Sequence, residues 1–142
     1  MEEINVDMWE YKEAKAPDEL YSGGVGPCIV IGAIYGRRGY MIHEPPQGDI
    51  SSFIEPFFAG LRKDIRDVKK LKIYVIGGEI ESGGDEEVRS SRNAVLDKIK
   101  EHGFQDVERV VQWCPTNHTQ SMRLILSEGR AEIDQRKLFQ KD

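Results

Sequence analysis

The sequence has few of the residues that form disulfides, bind metals or cross membranes. Its 142 residues include two cysteines, three histidines and two tryptophans. No apolar run approaches the roughly 18 residues that a membrane-spanning helix needs. The N-terminus has no basic segment followed by an apolar one, so we expect no signal peptide. Two isolated cysteines are typical of free thiols in a reducing compartment. We therefore expect a cytoplasmic protein that does not insert into membranes.

Basic residues are outnumbered by acidic ones. Lysine and arginine number 20 against 25 acidic residues, which gives a net charge of −5 and a pI near 5.3. No basic cluster interrupts this acidic balance. Because an acidic surface repels phosphate backbones, we expect no nucleic-acid partner. The hydrophobic fraction of 39% is sufficient for a globular core. The length predicts one domain over residues 1–142, with a polar, frayed tail over 135–142.

Apolar residues at strand-like spacing occur along much of the chain. Residues 4–8 alternate between apolar and polar, which predicts an edge strand. Residues 28–35 are almost all apolar and partly β-branched, which predicts a buried strand. Residues 16–27 are rich in glycine and proline, which favours a loop. Further strands are predicted at 40–43, 71–76, 107–113, 122–126 and 131–133.

Two segments show helical spacing instead. Apolar residues in 49–64 fall on one face of a helix that Asp49 or Ser51 could cap. Pro56 inside this segment implies either a kink or a helix that begins near Glu55. Asp85 is a predicted N-cap for a second helix that runs to about His102. Strands and helices in this mixed order predict a layered α+β domain with both helices packed on one sheet.

Cys28 and His43 are the residues most clearly suited to catalysis. Cys28 ends the glycine-rich stretch Ser22-Gly-Gly-Val-Gly-Pro-Cys28, directly before the buried strand, and His43 lies on the next strand. A thiol held at the start of a strand beside an imidazole is typical of an activated nucleophile. The alternative is a structural cysteine and an unrelated histidine at a strand end, since free cysteine is often buried.

The spacing of these two residues presents a difficulty. If Arg37 and Arg38 form the centre of a two-residue turn, Gly32 lies opposite His43. Cys28 would then be four residues further along, roughly 13 Å away at about 3.3 Å per residue. A contact between Cys28 and His43 would require another pairing, a bulge, or a glycine-rich loop that folds back over the strand end.

Two other loops carry residues found in ligand sites. The stretch Gly77-Gly-Glu-Ile-Glu-Ser-Gly-Gly84 lacks the Gly-Lys-Ser/Thr ending of a phosphate-binding loop and carries two glutamates, so we interpret it as a rim loop. Cys114 and His118 supply two of the four ligands that a structural zinc needs, and no further ligands are evident, so we predict no metal. Thr116, Asn117 and His118 are instead expected to line the rim of a site.

These motifs, in this order, resemble the CheD family of chemoreceptor glutamine deamidases. Ser22 occupies the place of a family threonine six residues before the cysteine, and His43 that of the family histidine. Downstream similarities are Gly77-Gly78, Ser91-Arg92-Asn93 and Pro115-Thr-Asn-His118. The family's fold is similar to that of the cytotoxic necrotizing factor toxins. The resemblance therefore implies an α/β/β sandwich with mixed sheets, and a Cys-His deamidase that uses no cofactor.

The resemblance also implies roles for individual residues. Cys28 would attack a glutamine carboxamide, His43 would accept and return the proton, and Ser22 would orient the imidazole or the amide. Gly26, Pro27, Thr116, Asn117 and His118 are the expected substrate-binding residues. The implied partner is a chemoreceptor-like protein with an exposed glutamine, or a CheC-type protein. Pro27 departs from the serine that the family has at this position, and Pro45-Pro46 changes the segment after His43. A non-catalytic CheD-like adaptor and a small-molecule thiol amidase remain as alternatives.

Overall fold

The computed structural model describes residues 1–47, 49–81 and 85–138. Within them the chain forms nine β-strands and two α-helices. The strands are β1 (Glu3–Asn5), β2 (Tyr11–Lys15), β3 (Glu19–Val25), β4 (Ile29–Tyr35), β5 (Arg38–Glu44), β6 (Leu71–Gly77), β7 (Glu108–Trp113), β8 (His118–Ile125) and β9 (Arg130–Lys137). The helices are α1 (Ile50–Asp64) and α2 (Glu86–Glu101). In these described ranges, neither helix is long and apolar enough to cross a membrane.

The strands form two mixed sheets that stack on each other. One has four strands in the order β1-β3-β8-β9, with β1 and β3 parallel. The other has five strands in the order β2-β5-β4-β6-β7, with β6 and β7 parallel. The remaining pairs in both sheets are antiparallel. Helices α1 and α2 pack on the outer face of the five-stranded sheet. The predicted α+β sandwich, with two main helices on one face, is confirmed.

Helix α1 follows its sequence pattern closely. Its buried residues share one face and are Ile50, Ile54, Phe57, Phe58 and Leu61. The helix already begins at Ile50 and contains Pro56, so the alternative start near Glu55 is wrong. Phe53, predicted on the buried face, is 46% exposed and contacts the ring of Trp9 edge-on. In α2, the predicted cap is confirmed, since Asp85 accepts hydrogen bonds from the backbone N–H groups of Glu87 and Val88.

Several boundaries differ from the sequence prediction. Most of the predicted loop 16–27 is strand β3, and β2 was not predicted at all. The glycines misled the prediction because Gly23 and Gly24 form a bulge inside the strand rather than a loop. The tail predicted to fray from 135 remains paired through Lys137, which lies opposite His118. Residues 139–142 and part of the predicted rim loop, 82–84, lie outside the described residues.

The two sheets approach closely because two positions between them lack side chains. A Cβ added at Gly32 would lie 2.6 Å from Sδ of Met122, and one at Gly39 would lie 2.6 Å from Leu126. Both partners belong to the opposite sheet or its end. Such separations are far below ordinary contact, so larger residues would push the sheets apart. This close packing brings side chains of β3 within hydrogen-bonding reach of β5.

Candidate functional site

Ser22 enters the space between the sheets because β3 is bulged. Ser22 pairs with Met122 and Val25 with Gln120, so two residues of β3, Gly23 and Gly24, lie opposite one residue of β8, Ser121. The extra residue is accommodated at Gly23 and Gly24, and Gly24 has a φ of +64°. Ser22 is 2% exposed and Val25 is fully buried. The bulge therefore keeps both side chains on the inner face of the four-stranded sheet.

The observed register places Cys28 closer to His43 than we predicted. The turn between β4 and β5 is Gly36-Arg37, so Tyr35 pairs with Arg38 and Val30 lies opposite His43. The predicted turn at Arg37-Arg38 is wrong because Gly36, at φ +62°, takes the first turn position. Cys28 is two residues beyond Val30 on the same strand face. Such diagonal neighbours are roughly 7–8 Å apart between Cα atoms, rather than the predicted 13 Å.

The imidazole of His43 is held by a short hydrogen-bond chain across the two sheets. The Ser22 hydroxyl lies 2.7 Å from Nδ1 of His43 and 2.7 Å from the carbonyl oxygen of Val6. A carbonyl only accepts, so the serine proton is directed to Val6. Nδ1 must then donate to the serine oxygen, which leaves Nε2 as the nitrogen with the free lone pair. Nε2 is buried and has no partner among the described residues.

Both reactive groups are electrically neutral near pH 7. Burial is the main reason that the pKa of the His43 imidazole lies below its usual value, partly offset by the Val6 carbonyl oxygen, which lies 3.4 Å from Nδ1, and by the Asp7 charge. Burial likewise raises the pKa of the Cys28 thiol, against the opposing effect of its own backbone N–H. The Glu44 carboxylate raises that thiol pKa further. The pair is therefore a thiol beside a neutral imidazole, not the thiolate–imidazolium pair of an activated cysteine.

The described residues contain no hydrogen bond between Cys28 and His43. Cys28 is half-buried and lies directly before β4. Its backbone carbonyl accepts a hydrogen bond of 2.8 Å from the N–H of Gly78. The main chain at Cys28 is thus fixed by the neighbouring strand end. The structure brings the two side chains to one face and one end of the sheet without a direct hydrogen bond between them.

Gly77 determines how closely β6 approaches Cys28. It has a φ of +94°, and a Cβ there would lie 1.9 Å from the carbonyl oxygen of Cys28. Its N–H donates to Oε1 of Gln120, which is 2% exposed and belongs to the opposite sheet. The amide nitrogen of Gln120 in turn donates to the Gln112 carbonyl and to Oε1 of Gln135. This second bridge between the sheets supports the chain around the thiol.

The predicted rim residues meet around a buried carboxylate that sequence reasoning missed. Glu79 is 6% exposed, and its backbone N–H donates to the Gly26 carbonyl. Its Oε2 accepts a 2.6 Å hydrogen bond from the N–H of Asn117, which has a φ of +64°. Thr116 donates its hydroxyl proton to the Ile80 carbonyl beside it. Gly26, Thr116 and Asn117 are therefore brought together next to Pro27 and Cys28.

His118 has a different surrounding. Its Nδ1 lies 2.9 Å from the carbonyl of Thr116 in its own turn. The Cys114 thiol is buried and contacts the backbone carbonyl of His118, not its ring. Burial, with the nearby Glu79 charge, raises the pKa of Cys114 to about 11. Both cysteines are free thiols, as expected. Over the described ranges, no group of three or more His, Cys, Asp or Glu side chains is suited to hold a metal ion.

Glu44 is a second buried acid near the thiol that the sequence did not reveal. It lies opposite Ile29, is 5% exposed, and its Oε2 has no partner among the described residues. Burial raises the pKa of its carboxyl group. The sequence signal for Glu44 was only its position after His43. The sequence signal for Glu79 was its position directly after Gly77-Gly78, at the end of a predicted buried strand. No sequence signal pointed to Gln120.

The fold is that of a two-sheet α+β sandwich, and it has counterparts among solved structures. Neisseria meningitidis protein NMB0706, of family DUF152, superposes with a TM-score of 0.51 at 9% identity, over 73% of this chain and 53% of that one. The Bacillus licheniformis hypothetical protein YfiH superposes with a TM-score of 0.52 at 9% identity, over 73% of this chain and 51% of that one. At this identity the likeness concerns the fold alone.

This chain covers only about half the length of either structure. No protein-family model matches the sequence. No curated protein matches it either. Neither of these two structures is described as a CheD protein, and no family model supports that family, so the predicted kinship to CheD stays a prediction. The roles assigned to Cys28, His43 and Ser22 likewise stay predictions.

Proposed function

We propose that this protein is a cysteine-dependent amidohydrolase that converts glutamine side chains of a partner protein to glutamate, with release of ammonia. The observation that carries the proposal is the oriented imidazole. Ser22 holds His43 in the tautomer with a free Nε2, on the same face and at the same end of the sheet as Cys28. Because the lone pair of Nε2 is not bonded to any donor among the described residues, this nitrogen is able to accept a proton.

The reaction needs only these groups and water. As Sγ of Cys28 attacks the carboxamide carbon, its proton passes to Nε2 of His43. The resulting oxyanion is stabilised by the N–H of Cys28. The imidazolium then returns the proton to the amide nitrogen, the C–N bond breaks and ammonia leaves. Water, deprotonated by the same nitrogen, hydrolyses the thioester and restores the thiol and a product carboxylate.

The neutral state of the pair is compatible with this scheme. A thiol of raised pKa and an imidazole of lowered pKa do not exchange a proton in the resting state. A carboxamide that contacts both groups would bring them into one transition state, where the proton moves as the C–S bond forms. The resemblance to CheD supports glutamine as the substrate and a chemoreceptor-like protein as the partner.

Mass spectrometry of glutamine-containing peptides tests this activity. We expect conversion of glutamine to glutamate by the wild type, and none by Cys28→Ser or His43→Gln. The Cys114→Ser variant is the matched control, because its thiol is buried and bonded to backbone carbonyls, and it should retain activity. An activated ester, p-nitrophenyl acetate, serves as a substrate-independent probe. If it does not acylate Cys28, or does so equally in His43→Gln, the hydrolase proposal is wrong.

A second function, a CheD-like adaptor without catalysis, is favoured by two observations. The described residues show no hydrogen bond between Cys28 and His43, and the thiol pKa is raised rather than lowered. An adaptor that binds a CheC-type protein requires neither a thiolate nor a base. It predicts that Cys28→Ser binds such a partner as tightly as wild type while no variant hydrolyses the ester. If the wild type hydrolyses the ester and Cys28→Ser does not, this alternative is excluded.

A further inference from the structure

Two arginines on α2 make no ion pair among the described residues of a chain whose net charge is −5. Arg89 and Arg92 lie one turn apart on the helix, and no ion pair involves either among the described residues. Arg38, Arg123 and Arg130 each contact a carboxylate, whereas Arg89 and Arg92, like several other arginines, do not within the described residues. What distinguishes Arg89 and Arg92 is that both line the same cavity.

Arg92 is held in a fixed orientation. Its Nε donates to the Gly78 carbonyl at 2.8 Å, and its guanidinium lies over the ring of Trp113 at 5.0 Å from the centroid. The terminal nitrogens of Arg92 make no hydrogen bond to protein within residues 1–47, 49–81 and 85–138. A guanidinium fixed on one edge and stacked on one face presents its remaining donors at little entropic cost.

These donors face a small cavity on the helix side of the molecule. Its volume is about 280 Å³, near the lower limit of small-ligand sites. Its lining residues combine two cations, an amide and apolar surface: Ile80, Arg89, Arg92, Asn93, Leu96 and Trp113. Leu96 is 40% exposed. The cavity thus offers a pair of guanidinium groups beside an apolar wall with an indole ring.

We propose that this cavity binds a small organic oxyanion, a carboxylate or phosphate group carried on an apolar body. The two guanidinium groups would hold the oxyanion, since arginine forks match both carboxylate and phosphate geometry. Asn93 would add an amide donor, and the apolar body would lie against Leu96 and Trp113. The proposal is independent of the hydrolase function, because the cavity lies on the helix side of the five-stranded sheet and Cys28 on the other.

Tryptophan indole N–H resonances in ¹⁵N-labelled protein test the site. The chain has only two tryptophans, Trp9 and Trp113, and a Trp9→Phe variant assigns the pair. Phenyl phosphate and benzoate are the probes for the two oxyanions, and benzyl alcohol is the neutral analogue. We expect a saturable shift of the Trp113 resonance with at least one acid, weakened by added salt, and none with the alcohol. Which acid binds tighter identifies the oxyanion.

Arg89→Gln is the decisive variant, because the side chain is exposed and makes no hydrogen bond within the described chain. Loss of one charge-assisted contact should weaken binding by about tenfold. Arg66→Gln, an exposed arginine outside the cavity, is the matched control and should bind normally. The proposal is overturned if neither acid shifts Trp113 saturably, if benzyl alcohol binds as well, or if Arg89→Gln and Arg66→Gln bind equally.

Discussion

The two faces of the five-stranded sheet are built differently. Towards the helices, the core is formed mostly by apolar side chains, with Phe57 and Phe58 packed edge-to-face at its centre. Towards the second sheet, the apolar residues surround two polar bridges, Ser22 with His43 and Gln120 with Gly77. Buried polar groups cost stability unless they are paired, and each of these bridges supplies a partner from the opposite sheet.

The contrast predicts that the helix-facing layer dominates stability. Phe57→Ala removes a fully buried ring and should lower the free energy of unfolding by about 3–5 kcal/mol. Urea denaturation followed by circular dichroism measures the change. Phe53→Ala, on the exposed side of the same helix, is the control and should cost far less. A similar loss in both variants would show that α1 does not pack as described.

Substitution of Gly77, at the end of β6 beside Cys28, should lower the free energy of unfolding nearly as much. Gly77→Ala combines a positive φ with a Cβ that would lie 1.9 Å from the Cys28 carbonyl. We expect a loss of about 3 kcal/mol and an altered alkylation rate of Cys28. Gly36→Ala shares the positive φ but meets nothing within 4 Å, so it should cost only about 1–2 kcal/mol and leave Cys28 unchanged. Equal effects of the two substitutions would contradict the close approach.

Two buried serines distinguish a functional hydroxyl from a structural one. Ser22→Ala and Ser91→Ala each remove a buried hydroxyl that donates to a backbone carbonyl, and each should cost about 1 kcal/mol. Only Ser22 also contacts Nδ1 of His43. Acylation of Cys28 by p-nitrophenyl acetate should therefore slow in Ser22→Ala and not in Ser91→Ala. Unchanged acylation in both would make the Ser22–His43 bond purely structural.

The smallest expected effect is the pH dependence of stability. His43 has a lowered pKa in the folded protein, so below about pH 6.5 the unfolded chain binds a proton that the folded protein does not. The contribution of His43 to the free energy of unfolding is complete above about pH 6.5. It decreases as the pH falls toward the pKa of His43 in the folded protein. Urea midpoints of wild type and His43→Gln, compared from pH 7.5 to 5.5, should converge at the acidic end. Parallel curves would mean that His43 is not buried in its neutral form.

The sequence predicted the helix side better than the side that carries the site. Helical periodicity located α1 and α2, because an amphipathic pattern records which face is buried. Gly23 and Gly24 were interpreted as a loop although they form a bulge, since glycine permits either conformation. The turn at Gly36-Arg37 differs by one residue from the predicted one, and that shift alone changes the residue opposite His43. Glu79 and Gln120 acquire their roles from contacts between distant segments, which local patterns do not encode.

The central claim is that His43 acts as a base toward the thiol of Cys28. It is tested most directly by the rate of Cys28 acylation by p-nitrophenyl acetate from pH 5 to 10, in wild type and His43→Gln. If the account is right, the wild-type rate rises through an apparent pKa below about 6.5, set by His43, and is level near neutral pH. In His43→Gln the rate at pH 7 falls and climbs only as the raised thiol pKa is approached. Profiles that coincide in the two proteins, both following the thiol alone, would contradict it.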